Sequence, residues 1–439
     1  MLMPLEAQLL LALSAWRSAP VWTVAFSGGL DSTVLLHLLV GLAQRQPLPT
    51  LRAIHIQHGL QAAAQAWPAH CQQVCDELGV PLLQREVQVQ PGASLEQAAR
   101  DARYGAFAAA LGADEVLLTA QHRDDQAETL LFRLLRGAGA RGLAAMPASR
   151  PLGAGQLVRP LLEVSRAELE DYALANGLDW VEDPSNCDER FSRNFLRRQV
   201  LPLLAQRWPQ AVASMARSAA HLSEAQGLLD ELAQADLTAI DEAAPFTWLP
   251  LPSLPLAPLL TLSAARQRNL LRHWLAPLTP LPDSDHWAGW ASLVNAAVDA
   301  APVWRLARGE LRRADGRLWW LSGPWLQSLP PIDLPLTAST QLSLPGNGHV
   351  CVLGQAPEGA LQVRYRQGGE VLRLAGRGRR DLKRLLNEVG VPGFLRGRLP
   401  LLYRGEELLA VANAPQLSVA EPDTWQFVWQ VPTNDQGLS

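Results

Sequence analysis

Val21-Trp22-Thr23-Val24-Ala25-Phe26-Ser27-Gly28-Gly29-Leu30-Asp31-Ser32 is the stretch on which the fold turns. Val21–Phe26 is apolar and β-branched and has the length of a strand. Thr33–Leu42 follows as a helix. Between them, two glycines let the backbone turn tightly and approach an anion without a Cβ clash. The amides of such a turn, and the start of the next helix, then face that anion. Ser27 and Ser32, on either side of Gly28, Gly29, Leu30 and Asp31, add hydroxyl donors. Asp31 would repel a phosphate unless a cation lies between them, so Mg²⁺ is expected, with Asp31 as its ligand. The stretch lacks the Gly-Lys-Ser/Thr of a Walker loop. It also lacks the third glycine of the dinucleotide pattern.

Outward from this loop the chain alternates strand and helix signals. Strands are expected at Leu51–Gln57, Pro81–Val89 and Glu115–Ala120. Helices are expected at Gln65–Leu78, from Ser94 with Gln97 at capping-box spacing, and over about 124–136. Such alternation implies a parallel sheet covered on both faces, with ligands beyond the carboxyl ends of its strands. The fold class expected is therefore α/β, a doubly wound parallel sheet over residues 1–205. Residues 206–325 read as a mainly helical middle domain, with proline-rich 236–260, helices near 263–275 and 284–298, and strands at Val303–Leu306 and Glu310–Leu321. Ala314-Asp315-Gly316 is a hairpin turn. Eight of the fifteen tryptophans fall between Trp248 and Trp325 and read as core. After a linker with five prolines over Pro324–Pro345, residues 340–439 form a small α+β domain rich in arginine.

Composition narrows the setting. The net charge is −4, so nucleic acid would have to bind a local basic patch. Basic residues are nearly all arginine; Lys383 is the one lysine, which reads as codon bias in a GC-rich genome. Residues 361–404 hold eleven basic residues against Glu370, Asp381 and Glu388, a local excess of eight. Within it, Arg377, Arg379, Arg380, Lys383 and Arg384 are the candidate RNA contacts; the plainer alternative is a solvated face. Four scattered cysteines without a CxxC pair fit a reducing cytoplasm, and Cys71 and Cys75 read as small core residues at i,i+4. Leu9–Leu13 lacks a basic segment before it and reads as part of an amphipathic first helix rather than a signal peptide. No apolar run reaches the roughly 18 residues that a membrane span needs.

Two further motifs lie at the ligand end of the expected sheet. His55-Ile56-Gln57-His58-Gly59-Leu60 closes the second strand, and Gln121-His122-Arg123-Asp124-Asp125-Gln126-Ala127-Glu128-Thr129 opens the helix after the fourth. Acids at a helix start also complement its dipole, and histidines there are often structural. Ser-Gly-Gly-x-Asp-Ser after the first strand resembles the PP-loop of the N-type ATP pyrophosphatases, whose fold is of the adenine nucleotide alpha hydrolase type. With the histidine and acidic motifs, the chain resembles the tRNA(Ile)-lysidine synthetase family. The resemblance continues through Ala99-Arg100-x-x-Arg103-Tyr104, Leu135-Arg136-Gly137-x-Gly139, Arg159-Pro160-Leu161-Leu162, Arg193-Asn194-x-x-Arg197, Gly368-Gly369-Glu370 and Pro400-Leu401-Leu402-Tyr403. It departs at Gln57 and Gln61, where asparagine and arginine are usual, and at Gly393 and Phe394.

The resemblance implies a ligase that uses ATP and Mg²⁺. It would adenylate O2 of a cytidine in the CAU anticodon of tRNA(Ile), then let L-lysine displace AMP at C2. It implies nucleotide contacts from Ser27 to Ser32 and from His55, Arg193 and Arg197. Chemistry is expected from Asp31, His122, Asp124, Asp125, Arg100 and Arg103, with Asp125 on the lysine ammonium and Asp124 on the metal. Arg100 with Arg103, and Arg193 with Arg197, share helix faces and would offset phosphate charge in a domain without lysine. No membrane partner is implied, and a homodimer is left open. A rival is a tRNA thiolase of the same superfamily, which needs cysteines that the loop motifs lack in sequence. A non-catalytic nucleotide- or RNA-binding module would need neither Asp31 nor the Asp124/Asp125 pair.

Overall fold

The computed structural model describes residues 4–57, 66–88, 95–240, 242–281, 286–297, 300–337, 341–374, 378–419 and 424–433. His58, Gly59, Leu60, Gln61, Val89, Ser94 and Arg377 lie outside the described residues. The chain divides into two compact units, Met1–Leu228 and Leu229–Ser439.

In the first unit, α1 (Leu5–Ala12) leads into β1 (Val21–Ala25), α2 (Leu30–Ala43), β2 (Thr50–Gln57), α3 (Trp67–Leu78) and β3 (Leu82–Glu86). Then come α4 (Leu95–Ala110), β4 (Val116–Leu118), α5 (Arg123–Leu134) and a short α6 (Ala140–Leu143). The hairpin β5 (Ser149–Leu152) and β6 (Gly155–Val158) precedes α7 (Arg166–Ala175). The sheet order is β3-β2-β1-β4-β6-β5. All neighbours are parallel except β5 with β6.

Burial follows the two-residue period of the strands. Trp22, Val24, Ala53, Val116 and Leu118 enter one core with Leu35 of α2, Cys71 and Cys75 of α3 and Leu169 of α7. Ile54, Ile56, Leu117 and Leu157 enter a second core with Phe107 of α4 and Leu111 just after it. Both faces of the sheet are thus covered, and each fully buried Leu or Ile contributes about 1.5–3 kcal/mol relative to exposure. Leu9 and Leu13 are fully buried, so the N-terminal apolar run packs as a helix against this sheet.

The hairpin β5–β6 is absent from the sequence-based expectation. Its strands have four residues each, and Arg150, Pro151 and Gln156 blur any alternation. Gly155 lies so close to β4 that a Cβ would collide with the Glu115 carbonyl. The topology also places the ligand crevice. The connection through α2 leads from β1 to β2 on one side, and the crossover from β3 returns to β4 on the other side of β1. Ligands of open α/β sheets bind at such a reversal, here beyond the ends of β1 and β4.

In the second unit, helices Ala264–Leu275 and Trp287–Asn295 pack with a four-stranded sheet of Ser253–Pro255, Arg317–Leu321, Gly309–Ala314 and Val303–Leu306. Trp290, Trp304 and Trp320 fill its core, as expected of the tryptophan-rich stretch. Asp315 and Gly316 both have positive φ, 47° and 69°, which suits a two-residue hairpin turn. Farther on lie a six-stranded and a three-stranded sheet, whose core holds Trp319, Trp325, Leu382, Leu385 and Trp429. Among the described residues, no helix is long and apolar enough to cross a membrane.

Candidate active site

The β1–α2 turn is held by its own polar groups. Gly28 has φ +82°, and a Cβ there would meet Cys71 Sγ at 3.0 Å, so only glycine fits. The Ser32 hydroxyl donates to the Gly29 carbonyl at 3.0 Å and accepts from the Ser27 amide at 3.2 Å. Ser27 Oγ lies 3.0 Å from Ser32 Oγ and accepts from the Gly29 amide at 3.3 Å. Val181 donates its amide to the Gly28 carbonyl at 2.9 Å, which ties the segment after α7 to the turn. The two serine hydroxyls brace the loop in this conformation rather than standing free.

α5 begins beside this turn. Asp125 Oδ2 accepts from the His122 amide at 3.1 Å and so caps its own helix. The buried His122 imidazole stands between three carboxylates. Its Nε2 is 3.6 Å from Asp31 Oδ2 and 3.6 Å from Asp125 Oδ2, and its Nδ1 is 3.7 Å from Asp124 Oδ2. Burial opposes the imidazolium, but Asp124, Asp125 and Asp31 outweigh it and raise the His122 pKa. Burial raises the Asp31 pKa even against the pull of His122 and Arg166. Asp31 Oδ1 is buried without a hydrogen-bond partner; its nearest cation is Arg166, at 3.5 Å.

The adjacent aspartates part company, as residues one apart on a helix must. Asp124 accepts from the Arg166 amide at 2.9 Å, at the start of α7. That bond and His122 lower its pKa against the cost of burial. Asp125 instead lines a cavity of about 550 Å³, within the roughly 300–1,000 Å³ usual for small-molecule sites. Arg197 binds Asp125 at 3.0 Å and holds Glu128 by two bonds of 2.5 and 2.9 Å. Burial raises the Glu128 pKa, and Arg197 pulls the other way.

Of the expected residues, Ser27, Gly29, Leu30, Asp31 and Ser32 line this cavity, with His55, Arg103, Asp125 and Arg197. Gly28, His122 and Asp124 are not part of its lining. The buried His55 lies 2.9 Å from the Phe26 carbonyl through Nδ1, which places its proton there, and so it also braces β2 against the end of β1. Arg103 has no hydrogen-bonding or carboxylate partner among the described residues. Burial, reinforced by Arg100, lowers its pKa. Arg100 lies over the Tyr104 ring, 4.8 Å from its centroid. Arg193 is half-buried outside the cavity lining.

Sequence reasoning missed Arg166, Glu128 and the segment with Trp180, Glu182, Asp183, Asn186 and Cys187, all part of the site or its walls. Arg166 carries no local signal, because its place depends on how α7 docks. Glu128 lay inside a quoted motif, four residues after Asp124. Two cysteines also come near the loop in space though not in sequence: Cys187 lines the cavity, and Cys71 Sγ is 3.4 Å from His55 Nδ1. Burial pushes the Cys71 thiol up to about 12, the opposite of an activated thiolate.

An α/β sheet with a Ser-Gly-Gly-x-Asp-Ser turn at its topological reversal defines a PP-loop ATP-using domain, and a family model described as the PP-loop domain matches residues 3–204. Models described as the TilS substrate binding domain and the TilS substrate C-terminal domain match residues 254–319 and 361–429. A tRNA(Ile)-lysidine synthase of Pseudomonas fluorescens is 65% identical over 434 residues, covering 99% of this chain and 98% of that protein. One of Pseudomonas aeruginosa is 65% identical over 439 residues, covering 99% of each. One of Escherichia coli O157:H7 is 44% identical, covering 93% of this chain and 96% of that protein. The chain belongs to the tRNA(Ile)-lysidine synthase family.

Proposed function

We propose that this chain joins free L-lysine to C2 of cytidine 34 in the CAU anticodon of tRNA(Ile), using ATP and releasing AMP and pyrophosphate. The observation that carries the reading is the meeting of the Ser27–Ser32 turn with Asp125 and Arg103 in one cavity, in a chain of this family. C2 of cytosine is a poor electrophile, so its O2 must first be made a leaving group. The turn amides and the start of α2 would receive the triphosphate. Arg103, with the field of Arg100 behind it, would offset charge as O2 attacks the α-phosphate.

Mg²⁺ suits this donor set. Mg²⁺ is commonly held by one or two carboxylates together with substrate phosphates rather than by a protein cage. Asp31 offers a buried carboxylate oxygen without a hydrogen-bond partner, and the described residues hold no cluster of three or more metal ligands. Asp31 would hold the ion, which would neutralise charge on the phosphates.

Asp125, with Glu128 three residues on, would take the lysine ammonium. The ε-amine has a pKa near 10.4, so freeing its lone pair at pH 7 costs about 4–5 kcal/mol. A carboxylate that holds the ammonium can also receive its proton. Arg197 orients both acids and prevents two adjacent carboxylates from repelling. Asp124, bound to the Arg166 amide, is a positioning residue for His122 and α7.

Residues 1–205 would carry the catalysis, with 206–325 and 340–439 binding tRNA. In the last, several arginines counted in the sequence are already engaged. Arg364 pairs with Asp333, Arg366 with Glu370, Arg384 with Glu388 and Arg404 with Glu407. Arg398 is buried against the Pro324 and Gln327 carbonyls. Exposed Arg373, Arg379, Arg380 and Lys383 remain as the phosphate contacts, with Arg377 beside them in sequence. Such an enzyme works in the cytoplasm, where its RNA is. The test is to incubate the protein with Mg·ATP, lysine and CAU-anticodon tRNA(Ile). Lysine- and tRNA-dependent AMP release with lysidine in the RNA is expected. AMP release without lysine incorporation would overturn the reading.

A further inference from the structure

The β5–β6 hairpin brings positive charge against Tyr104, a wall of the cavity, that the proposed reaction does not use. The Arg150 guanidinium lies 5.1 Å from the centroid of the Tyr104 ring, and the Arg100 guanidinium lies 4.8 Å from the same centroid. Tyr104 is itself a wall of the cavity, as is Arg103 beside it. Arg159, at the end of β6, also faces this phenol. Burial disfavours the tyrosinate, yet Arg100, Arg159, Arg103 and Arg150 together outweigh it and lower the Tyr104 pKa.

None of these four arginines has a carboxylate partner among the described residues. Elsewhere in the same unit some arginines are matched, Arg52 with Glu115, Arg123 with Glu168 and Arg197 with Glu128, while Arg17, Arg85 and Arg133 bond amide or carbonyl oxygens singly rather than as a cluster. Arg159 bonds Gln121 at 3.2 Å and the Pro147 carbonyl at 2.7 Å. Among the described residues Arg150 bonds only the carbonyl of Pro151, at 3.1 Å. Four like charges around one ring repel one another, and an anion from outside would relieve that repulsion.

The position argues against the triphosphate as that anion. The phosphate turn follows β1, whereas Arg150 is on β5, three strands away in the order β1-β4-β6-β5. At about 4.8 Å per strand this is about 14 Å. Arg103, unlike Arg150, lines the cavity together with the turn and is the arginine assigned to the nucleotide. An aromatic ring among guanidiniums is also how unpaired RNA is held, with bases stacked and phosphates bound alongside.

We propose that Arg150, beside Arg100 on the Tyr104 ring, binds a backbone phosphate of the anticodon-loop RNA and so aims the loop into the cavity. This rests on the lysidine reading. Arg150 is a positioning residue for the RNA and takes no part in the chemistry.

The test uses the full chain as R150Q, R150E and R150K. Affinity for CAU-anticodon tRNA is measured across salt without ATP or lysine, and Mg·ATP affinity is measured without RNA. R150Q should weaken RNA binding about tenfold, and R150E more. In R150Q the dependence of log affinity on log salt should fall by about 0.7–0.9, the loss of one phosphate contact. R150K should keep the slope while losing part of the affinity, because it retains the charge but not the planar fork. Mg·ATP affinity should not move. Unchanged RNA affinity and slope in R150Q and R150E would overturn the proposal. So would an equal loss in R150K and R150Q, which marks packing, or a loss of ATP affinity, which assigns the cluster to the nucleotide. Lysine-dependent AMP release by the parent protein is scored separately, so failure of the lysidine reading is told apart from failure of this one.

Discussion

Strands Val371–Leu374 and Gly378–Asp381 form an antiparallel pair in which Arg373 lies directly opposite Arg379. Both side chains are exposed. Like charges directly opposed on a sheet destabilise it, where favourable pairs contribute roughly 0.2–1 kcal/mol. If the pair is kept for RNA, removing it should move two quantities in opposite directions. In R373Q/R379Q, stability of the free protein should rise by a few tenths of a kcal/mol to about 1 kcal/mol, read by urea unfolding. At the same time two phosphate contacts are lost, and the salt slope of tRNA binding should fall by about 1.4–1.8. Between 50 and 200 mM salt, a fourfold range, the parent's advantage over the variant should therefore shrink roughly 7- to 12-fold. Filter binding across that range reads it directly. A slope changed by less than half a unit would refute the phosphate assignment, and the charge run would be a solvated face. A variant less stable than the parent would show that the opposed arginines are not a cost that the fold carries.

Asp31→Asn should abolish AMP release while leaving tRNA affinity and the thermal midpoint near those of the parent; near-parental AMP production would remove Asp31 from the metal site. Asp125→Ala should raise the lysine KM at least tenfold with little change in the ATP KM, because it removes the partner of the ammonium; the opposite split in steady-state kinetics would reverse the assignment. Iodoacetamide should modify Cys187 in the native protein, and Mg·ATP should slow this, because Cys187 is exposed in the cavity lining. Cys71 and Cys75, buried with thiols pushed up to about 12 and about 11, should react only in denaturant; peptide mass spectrometry that found them labelled as fast as Cys187 would contradict their burial.

The parts of this fold legible in the sequence are those where local chemistry and tertiary structure agree. Val21–Ala25 has one outcome as a buried strand, and Gly28 one outcome as a left-handed turn against Cys71. The helix boundary at Arg123 is set by a local cap, Asp125; α7, capped by Ser165 with Glu168, was not anticipated. The β5–β6 hairpin was not legible. Its strands are too short for a period, and what holds them is the parallel register of β6 with Val116–Leu118 of β4. The charge of residues 361–404 was legible as a total but not as a surface. A count cannot show that Arg364, Arg366 and Arg404 are met by Asp333, Glu370 and Glu407.

The two aspartates at the start of α5 show where the boundary lies. Helix geometry alone requires Asp124 and Asp125 to face apart, about 100° per residue. It does not say which one meets the ligand. That is decided by α7, whose first amide, 42 residues on at Arg166, takes Asp124 at 2.9 Å and leaves Asp125 to the cavity. The same docking brings Arg166 to 3.5 Å from Asp31, so one helix N-terminus removes one acid from the site and lends a cation to another. His122 then lies within 3.7 Å of all three carboxylates, which together raise its pKa. In a domain without lysine, the balance of charge at the phosphate turn thus depends on how α7 packs, and a substitution that shifts α7 should disturb Asp31 and His122 together.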